Sequence, residues 1–312
     1  ALYVLHAGSH EVSLVDRKAM HEKINSGNAD QLHNDLSFMT GIRKRIPVAG
    51  KGPRSAVVAS DNLYYTEYYS DSVGVLKLGP KPEPPGQIPL GPVAQVSATR
   101  RGEFLFHDAG YCFQNWLSCS SCHPGDRVDA LIWDLLYDGM GNPKNTRSLL
   151  FSHQTPPAMS RGVRASAEIA VRHGLRFMMA DLPETDAAAV DTFLKSMRPA
   201  PSPYLENGKL SASAKRGKAA FKKASCTQCH RGTYFTDQRM HDVGTGTPRD
   251  QDPKYDTPSL IEVWRTAPYL HDGRAATVEE IFTKFNEEES LGEVEELDEQ
   301  EFDDLINYIL SL

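Results

Sequence analysis

Two short strings of one pattern, Cys-x-x-Cys-His, limit what this chain can fold into more than any other feature. They span residues 119–123 and 226–230. Two thiols at this spacing can add to the two vinyl groups of one haem, and the histidine that follows can then ligate its iron. The pattern therefore predicts two covalently attached c-type haems, one on Cys119, Cys122 and His123 and the other on Cys226, Cys229 and His230.

Other uses of paired cysteines fit the sequence less well. Zinc would need both pairs to converge on one ion and would not need a histidine after each pair. A redox dithiol is expected beside a thioredoxin-like βαβ pattern, which the flanking sequence lacks. The chain has five cysteines, so they cannot all be paired in disulfides, and Cys112 is left without an assigned role.

Both strings occupy the same point of an internal repeat. Residues 101–106 read Arg-Gly-Glu-Phe-Leu-Phe before the first string, and residues 216–221 read Arg-Gly-Lys-Ala-Ala-Phe before the second. Each copy then closes with apolar residues at helical spacing, over 190–197 and 302–310. We predict a mainly α fold with two cytochrome c-like haem domains, residues 96–203 and 204–312.

The N-terminal part of the chain has the alternation of β-strands. Residues 2–6 and 11–15 flank a Gly-Ser-His turn, and a similar pair of segments recurs at an offset of 61 residues. Repeated hairpins are typical of propeller blades, although two blades cannot close a propeller. We interpret residues 1–79 as propeller-blade-like hairpins, with a small accessory sheet as the alternative, and the proline-rich residues 80–95 as an extended linker.

Charge and hydropathy exclude several kinds of partner. The net charge of −7 argues against nucleic acid and against an anionic membrane surface. No apolar run reaches the roughly 18 residues that a membrane helix needs. Haem is joined covalently to cytochromes outside the cytoplasm, so we expect a periplasmic or extracellular protein. The absence of a visible signal peptide before Ala1 is what a processed or truncated product would show.

Two further motifs follow the haem strings. Residues 266–277 read Thr-Ala-Pro-Tyr-Leu-His-Asp-Gly-Arg-Ala-Ala-Thr, and residues 145–149 read Asn-Thr-Arg-Ser-Leu. Over roughly residues 96–312 the chain thus resembles the bacterial superfamily of di-haem cytochrome c peroxidases, which includes the oxidase that matures methylamine dehydrogenase. The N-terminal β segment resembles the C-terminal remnant of a propeller fused to such a module.

The resemblance implies an oxidoreductase that reduces hydrogen peroxide or uses it to oxidise an external substrate, a protein among the candidates. The first haem would be the reaction site, and the second would store or relay an electron. A small redox protein is the implied donor, and the β segment would dock a partner or the missing propeller blades. A non-catalytic di-haem electron carrier is the alternative.

The resemblance also implies a calcium ion between the two haem domains. In the family an asparagine side chain and the backbone carbonyls of a Thr-x-Pro segment hold this ion. The matching positions here are Asn145, Thr266 and Pro268. Oxygen ligands of this kind suit calcium.

The distal side of the second haem departs from the family. The methionine that peroxidases of this family place fourteen residues after the motif histidine, His271, is Phe285 here, which cannot ligate iron. Met240 and His241 are therefore candidate distal ligands. Tyr255 and His271 are left as alternatives, and a structural hydrogen bond near the haem is a second interpretation of His271.

At the first haem, a reaction with peroxide needs an open iron face and a group that moves a proton. Glu168 and His153 are the candidates for this catalytic role, followed by Glu184 and His173. His153 is also a candidate distal ligand, and a structural role is its alternative. The tryptophan that the family places between its haems has no counterpart at the aligned position, which leaves Trp116, Trp133 and Trp264.

Overall fold

The computed structural model describes residues 1–27, 32, 34–79, 83–92, 95–137 and 140–312. These residues form two compact units. The first unit consists of Ala1–Ser97, Phe104–Ser118 and Met178–Ala180. The second unit consists of Ala98–Glu103, Cys119–Phe177 and Asp181–Leu312, and it contains both haem strings.

The first unit carries two antiparallel sheets. The first sheet has the order β1-β2-β3, with β1 Leu2–His6, β2 Glu11–Val15 and β3 Arg43–Pro47. The second sheet has the order β4-β5-β6-β7, with β4 Pro53–Ala59, β5 Asn62–Glu67, β6 Ser72–Lys77 and β7 Gly86–Pro89. Helix α1, Arg17–Ser26, lies between β2 and β3 in the chain. Both predicted hairpins are present, as β1–β2 and β5–β6.

Alternation along the strands builds the core of this unit. Leu63 lies opposite Leu76 in the β5–β6 pair, and both are 1% exposed. The ring of Tyr65 lies over Gly74, where a Cβ atom would be 2.1 Å from the ring, so the register requires glycine there. Four antiparallel strands in sequence order are also how a propeller blade is built. The propeller itself stays a prediction.

The predicted linker over residues 80–95 is in part a strand. Gly86–Pro89 form β7, which pairs with β6 from Val75 to Ser72. A proline is tolerated here because β7 is an edge strand and Pro89 is its last residue. Residues 80–82 and 93–94 of the predicted linker lie outside the described residues.

The second unit is mainly helical and has two small two-stranded sheets. Helix α2, Ala98–His107, contributes residues to both units. The other helices are α3 Cys119–Cys122, α4 Ala167–Phe177, α5 Glu184–Ser196, α6 Ala212–Lys223, α7 Val278–Lys284 and α8 Glu299–Leu310. The sheets are β8–β9, Ile132–Trp133 with Lys144–Asn145, and β10–β11, Met240–Asp242 with Lys254–Asp256.

The internal repeat is visible as two equivalent helix contacts. A Cβ atom on Gly102 of α2 would lie 1.9 Å from the carbonyl oxygen of Ala189 in α5. A Cβ atom on Gly217 of α6 would lie 1.8 Å from the carbonyl oxygen of Asp304 in α8. At both crossings only glycine allows the two backbones to approach this closely.

The residue before each of these glycines adds an ion pair. Arg101 binds Asp186 of α5, and Arg216 binds Asp304 of α8, each at 2.6 Å. The predicted closing helices are present as α5 and α8. Helix α8 begins with a capping box in which Asp298 and Glu301 each accept a hydrogen bond from the other's backbone N–H.

The Gly217 crossing yields a prediction on stability. Gly217→Ala should lower the free energy of unfolding by about 3 kcal/mol, because the new methyl group cannot fit against the Asp304 carbonyl. Gly174→Ala in α4 is the matched control, since a methyl group there would have no atom within 4 Å and alanine favours the helix. Urea denaturation of the haem-loaded protein measures both. A loss at Gly217 no larger than the change at Gly174 would contradict the close crossing.

Candidate haem sites

The first Cys-x-x-Cys-His string is a single helical turn that presents its histidine in one ring orientation. Cys119–Cys122 form α3, and the His123 backbone N–H donates to the Cys119 carbonyl at 2.9 Å. The Nδ1 atom of His123 lies 3.0 Å from the carbonyl oxygen of Arg127. A carbonyl only accepts, so Nδ1 carries the proton and Nε2 keeps the lone pair that a metal needs.

The second string makes the same two hydrogen bonds on a 3-10 turn, Cys226–Gln228. The His230 backbone N–H donates to the Cys226 carbonyl at 2.9 Å, and His230 Nδ1 donates to the Phe235 carbonyl at 2.9 Å. Burial lowers the pKa of both histidines, so each ring is neutral and able to bind a metal at neutral pH. Both strings therefore present a proximal ligand of the kind a c-type haem uses.

The cysteine pairs do not form a zinc site. Among the described residues, the one group of three or more candidate ligands is Cys229, Asp237 and His241, so the two pairs do not converge on one ion. Burial raises the pKa of the Cys226 thiol to about 12. A buried apolar thiol position fits a thioether to haem better than a thiolate on zinc.

His241 lies beside the second string and is held by a carboxylate. Its Nε2 atom is 2.9 Å from Asp237 Oδ2, and Asp237 also accepts from Thr257 Oγ1 at 2.8 Å. Burial would raise the pKa of Asp237, but the hydrogen bonds from His241 and Thr257 hold it below its usual value. Met240, the neighbouring candidate, packs its sulfur against Gly162, where a Cβ atom would be 2.8 Å away.

Tyr255 and His271, the alternative distal ligands for the second haem, are in contact with each other. Tyr255 and His271 stack with ring centroids 4.1 Å apart, and the Tyr255 hydroxyl is 3.2 Å from His271 Nε2. Asp250, whose side chain is fully buried, lies 3.4 Å from the same nitrogen. These contacts agree with a structural hydrogen bond for His271. Phe285 is half-buried, with the Arg274 guanidinium 5.8 Å from its ring centroid.

His153 is buried and paired with a carboxylate. Its side chain is 1% exposed, and its Nε2 atom lies 3.0 Å from Asp191 Oδ1. Asp191 also accepts from the Arg172 guanidinium. The loop that carries His153 is linked to the turn after the first string, because the Leu149 N–H donates to the Asp126 carbonyl at 3.4 Å.

The carboxylate of Glu168, unlike the side chain of His153, is partly exposed to solvent. It forms a partly exposed ion pair with Lys195 at 2.8 Å. The hydrogen bond from Lys195 lowers the pKa of Glu168 to about 2, so this carboxyl is ionised at neutral pH. Glu184 binds Arg172 at the surface, and His173 is exposed.

Two of the three residues expected at calcium, Asn145 and Pro268, are in contact. The Asn145 backbone N–H donates to the His271 carbonyl at 2.7 Å, and the Asn145 amide contacts the Pro268 carbonyl. Asn145 Oδ1 is buried and has no hydrogen-bond partner. An orphaned buried oxygen beside a backbone carbonyl is the donor set that a hard cation completes. The residues present therefore fit calcium.

Comparison with known proteins adds to this geometry. A family model described as cytochrome c matches residues 214–312. The chain is 27% identical over 271 residues to hydrazine synthase subunit gamma of Kuenenia stuttgartiensis, covering 68% of this chain and 77% of that protein. It is 24% identical over 284 residues to methylamine utilization protein MauG of Methylophilus methylotrophus, covering 72% and 84%.

A further relative is cytochrome-c peroxidase IdrP1 of Denitromonas iodatirespirans, 31% identical over 120 residues, or 25% of this chain and 32% of that protein. Among solved structures, Kuenenia stuttgartiensis hydrazine synthase matches with a TM-score of 0.65 and 26% identity, covering 70% of this chain and 88% of that one. These relatives are consistent with the predicted superfamily of di-haem cytochrome c peroxidases and MauG proteins. They support a peroxidase-like haem oxidoreductase with covalently bound haem c.

The similarity to these proteins confirms the predicted resemblance and the predicted fold class, cytochrome c architecture preceded by small β-sheets. In the part of the chain that the structure describes, no helix has the length and apolar character needed to cross a membrane.

The sequence does not predict one buried ion pair of the second unit. Arg127 is 6% exposed and binds Glu262, which is fully buried. The two residues are 135 positions apart, so no local pattern points to their contact. The one available signal is the place of Arg127, four residues after His123.

The assignment of the strings can be tested by counting haems. We expect Cys119→Ser/Cys122→Ser and Cys226→Ser/Cys229→Ser each to halve the covalent haem per chain, measured as pyridine haemochrome after acid-acetone extraction. Cys112→Ser, at a buried cysteine outside the strings, is the control and should keep the full amount. Loss of haem in the control, or the full amount of haem in either double variant, would contradict the assignment of one haem to each string.

Proposed function

We propose that this chain is a di-haem enzyme that reduces hydrogen peroxide, or uses it to oxidise an external substrate such as a protein. The haem on Cys119, Cys122 and His123 would be the reaction site. The haem on Cys226, Cys229 and His230 would store or relay an electron. The observation that supports this assignment best is the buried His153–Asp191 pair, because the loop that carries His153 is hydrogen-bonded to the turn after the first string.

Peroxide cleavage needs a group that takes a proton from one oxygen and returns it to the leaving oxygen. Asp191 accepts from His153 Nε2–H, which leaves Nδ1 as the basic nitrogen of the ring. The Arg172 guanidinium binds the other oxygen of the same carboxylate, which holds Asp191 in place beside His153. A bound haem supplies the electrons for the bond cleavage, whereas His153 would move the proton.

Glu168 is the less suitable proton carrier of the two catalytic candidates. Its ion pair with Lys195 and its pKa of about 2 keep it ionised at neutral pH. A group with so low a pKa neither holds a proton to donate nor has much basicity. We therefore propose His153 for proton transfer and an electrostatic contribution for Glu168 while Lys195 is bound.

Met240 and His241 remain our proposed distal ligands for the second haem. Ligation by His241 through Nε2 requires that nitrogen to leave Asp237. Ligation by His241 would replace the neutral sulfur ligand that the family's methionine supplies, and axial ligand identity sets haem potentials over roughly 0.8 V. With His241 as its ligand, the second haem would work at a potential different from that of an ordinary peroxidase of this family.

Calcium would bind Asn145 Oδ1 and the carbonyls of Thr266 and Pro268. Asn145 belongs to the first copy and the other two to the second, so the ion would fasten the copies to each other. The unpartnered Asn145 Oδ1 supports this proposal. We also propose an extracytoplasmic location and a small redox protein as electron donor, with the β segment as a docking region.

Resemblance to hydrazine synthase subunit gamma favours a second candidate function, that of one subunit in a hydrazine-forming assembly. The fold match covers 88% of a chain of hydrazine synthase with a TM-score of 0.65. Purification in a stable complex with other subunits, together with no turnover of peroxide, would favour this candidate.

The proton-transfer role of His153 can be tested by stopped-flow mixing of the reduced protein with peroxide. His153→Gln should slow reoxidation of the haems by a factor of about 10² to 10⁴, because general acid–base catalysis contributes that much. The control His21→Gln makes the same change at an exposed residue of α1 and should leave the rate unchanged. Equal rates in the two variants would exclude His153, and no reaction in the wild type would remove the peroxide proposal.

Calcium binding can be tested by stability. Calcium at a hundred times its dissociation constant should raise the free energy of unfolding by about 2.7 kcal/mol relative to the chelated protein. Asn145→Ala should abolish most of this difference, while Asn207→Ala, at an exposed turn, should preserve it. A stability that does not respond to calcium in the wild type would contradict the site.

A further inference from the structure

The ion pair of Arg127 and Glu262 is a buried charged contact of the second unit to which the proposed function gives no role. Its geometry is bidentate: Arg127 Nη2 donates to Glu262 Oε1 at 3.1 Å, and Nε donates to Oε2. The side chains are 7% and 0% exposed. Taking two charges out of water is costly, so an arrangement of this kind is weak as a device for stability alone and invites a functional explanation.

The backbone of the same arginine touches the proximal ligand of the first string. The Arg127 carbonyl accepts from His123 Nδ1 at 3.0 Å. Glu262 therefore holds the side chain of Arg127, while the backbone carbonyl of Arg127 fixes the ring of His123. A hydrogen bond from Nδ1 to a carbonyl sets the orientation and basicity of a metal-bound imidazole.

Glu262 is itself held in place from several sides. Its carboxylate accepts from the backbone N–H of Ala200, and its own backbone N–H donates to the Leu312 carbonyl at 3.3 Å. The Arg127 guanidinium also donates to the Arg198 carbonyl at 3.2 Å. The pair thus joins the first string, the segment between the two copies and the end of the second copy.

The charge state of the pair follows from the same contacts. Burial would raise the pKa of Glu262, but the hydrogen bond from Arg127, the Ala200 N–H and the nearby Arg265 hold it below its usual value. Glu262 is therefore ionised at neutral pH, and the buried pair carries no net charge.

The second string has no counterpart of this pair on its proximal carbonyl. His230 Nδ1 donates to the carbonyl of Phe235, whose side chain carries no charge. The two proximal histidines are alike in geometry and differ in what stands behind the carbonyl. Any effect of the Arg127–Glu262 pair on a haem should therefore be confined to the first one.

We propose that Glu262 is a positioning residue for the first haem. Through Arg127 it fixes the carbonyl that orients His123, and it balances the buried positive charge behind that ligand. The inference rests on the proposed placement of the first haem at His123, but not on any reaction with peroxide.

Removing the carboxylate should act on the first haem in one direction. Glu262→Gln leaves the Arg127 cation buried without its counter-charge, which disfavours the more positive ferric iron. A less firmly held carbonyl also makes the His123 imidazole less basic, which again favours ferrous iron. Both effects raise the reduction potential of the first haem.

The test is a redox titration of the full-length, haem-loaded protein followed by optical spectra, with the second haem as internal reference. In Glu262→Gln the ratio of reduced to oxidised first haem at a fixed potential should rise about tenfold, which is ~59 mV for one electron. The second haem should stay at its wild-type potential. Arg216→Gln is the matched control, because it breaks an ion pair of the second copy that touches neither proximal carbonyl.

Arg127→Met/Glu262→Met keeps the test possible if Glu262→Gln does not fold, since apolar replacement of a whole buried pair is tolerated. In this variant the iron–histidine vibration of the first ferrous haem should shift, while that of the second should not. Shifts of equal size in both haems, or in neither, would overturn the proposal. Loss of peroxide turnover without a first-haem shift would also overturn it, while failure of the wild type to react with peroxide would leave the titration valid.

Discussion

The hydrogen bond from Nδ1 of each motif histidine to a backbone carbonyl is the interaction on which the two sites depend. It fixes the ring of His123 on Arg127 and the ring of His230 on Phe235, and in both cases it leaves Nε2 ready for iron. The cysteines place a haem near each histidine, but the carbonyl decides which nitrogen it meets. The loop after each string is therefore as much a part of the site as the string.

The two sites share their proximal hydrogen bonds but differ in the residues that surround them. The first has the Arg127–Glu262 ion pair beside the carbonyl that binds its histidine, and a buried pair of His153 with Asp191 of α5. The second has Phe285 where a methionine ligand is expected, and nearby polar groups that are bonded to one another. A repeated fold with unequal surroundings suits a division of labour between a reacting haem and an electron-storing haem.

Local patterns in the sequence predicted local structure well. The Cys-x-x-Cys-His strings, the hairpins and the Asp298–Glu301 cap each lie within a few neighbouring residues, and the structure contains all three elements. The internal repeat also predicted equivalent helices in the two copies. It did not predict that a glycine lies at each helix crossing, which only the structure shows. Strand β7 was missed because prolines near Gly86–Pro89 outweighed the edge position that makes them harmless.

The rest of the candidate site depends on distant contacts that no spacing rule encodes. His153 meets Asp191 across 38 positions, and Arg127 meets Glu262 across 135. Glu168 was chosen for its carboxylate, and only its contact with Lys195 shows that the group stays ionised. Long-range pairing of charges decides which residue can move a proton, so sequence analysis found the haem strings and only part of their surroundings.

The coordination of the two irons distinguishes an enzyme from an electron carrier. Electron paramagnetic resonance of the fully oxidised protein, in which both irons are ferric, separates an open, high-spin haem from a six-coordinate, low-spin one. We expect one signal of each kind, with the high-spin signal lost in the Cys119→Ser/Cys122→Ser variant. Two low-spin signals without a high-spin signal would contradict an open reaction site at the first haem and would identify an electron carrier.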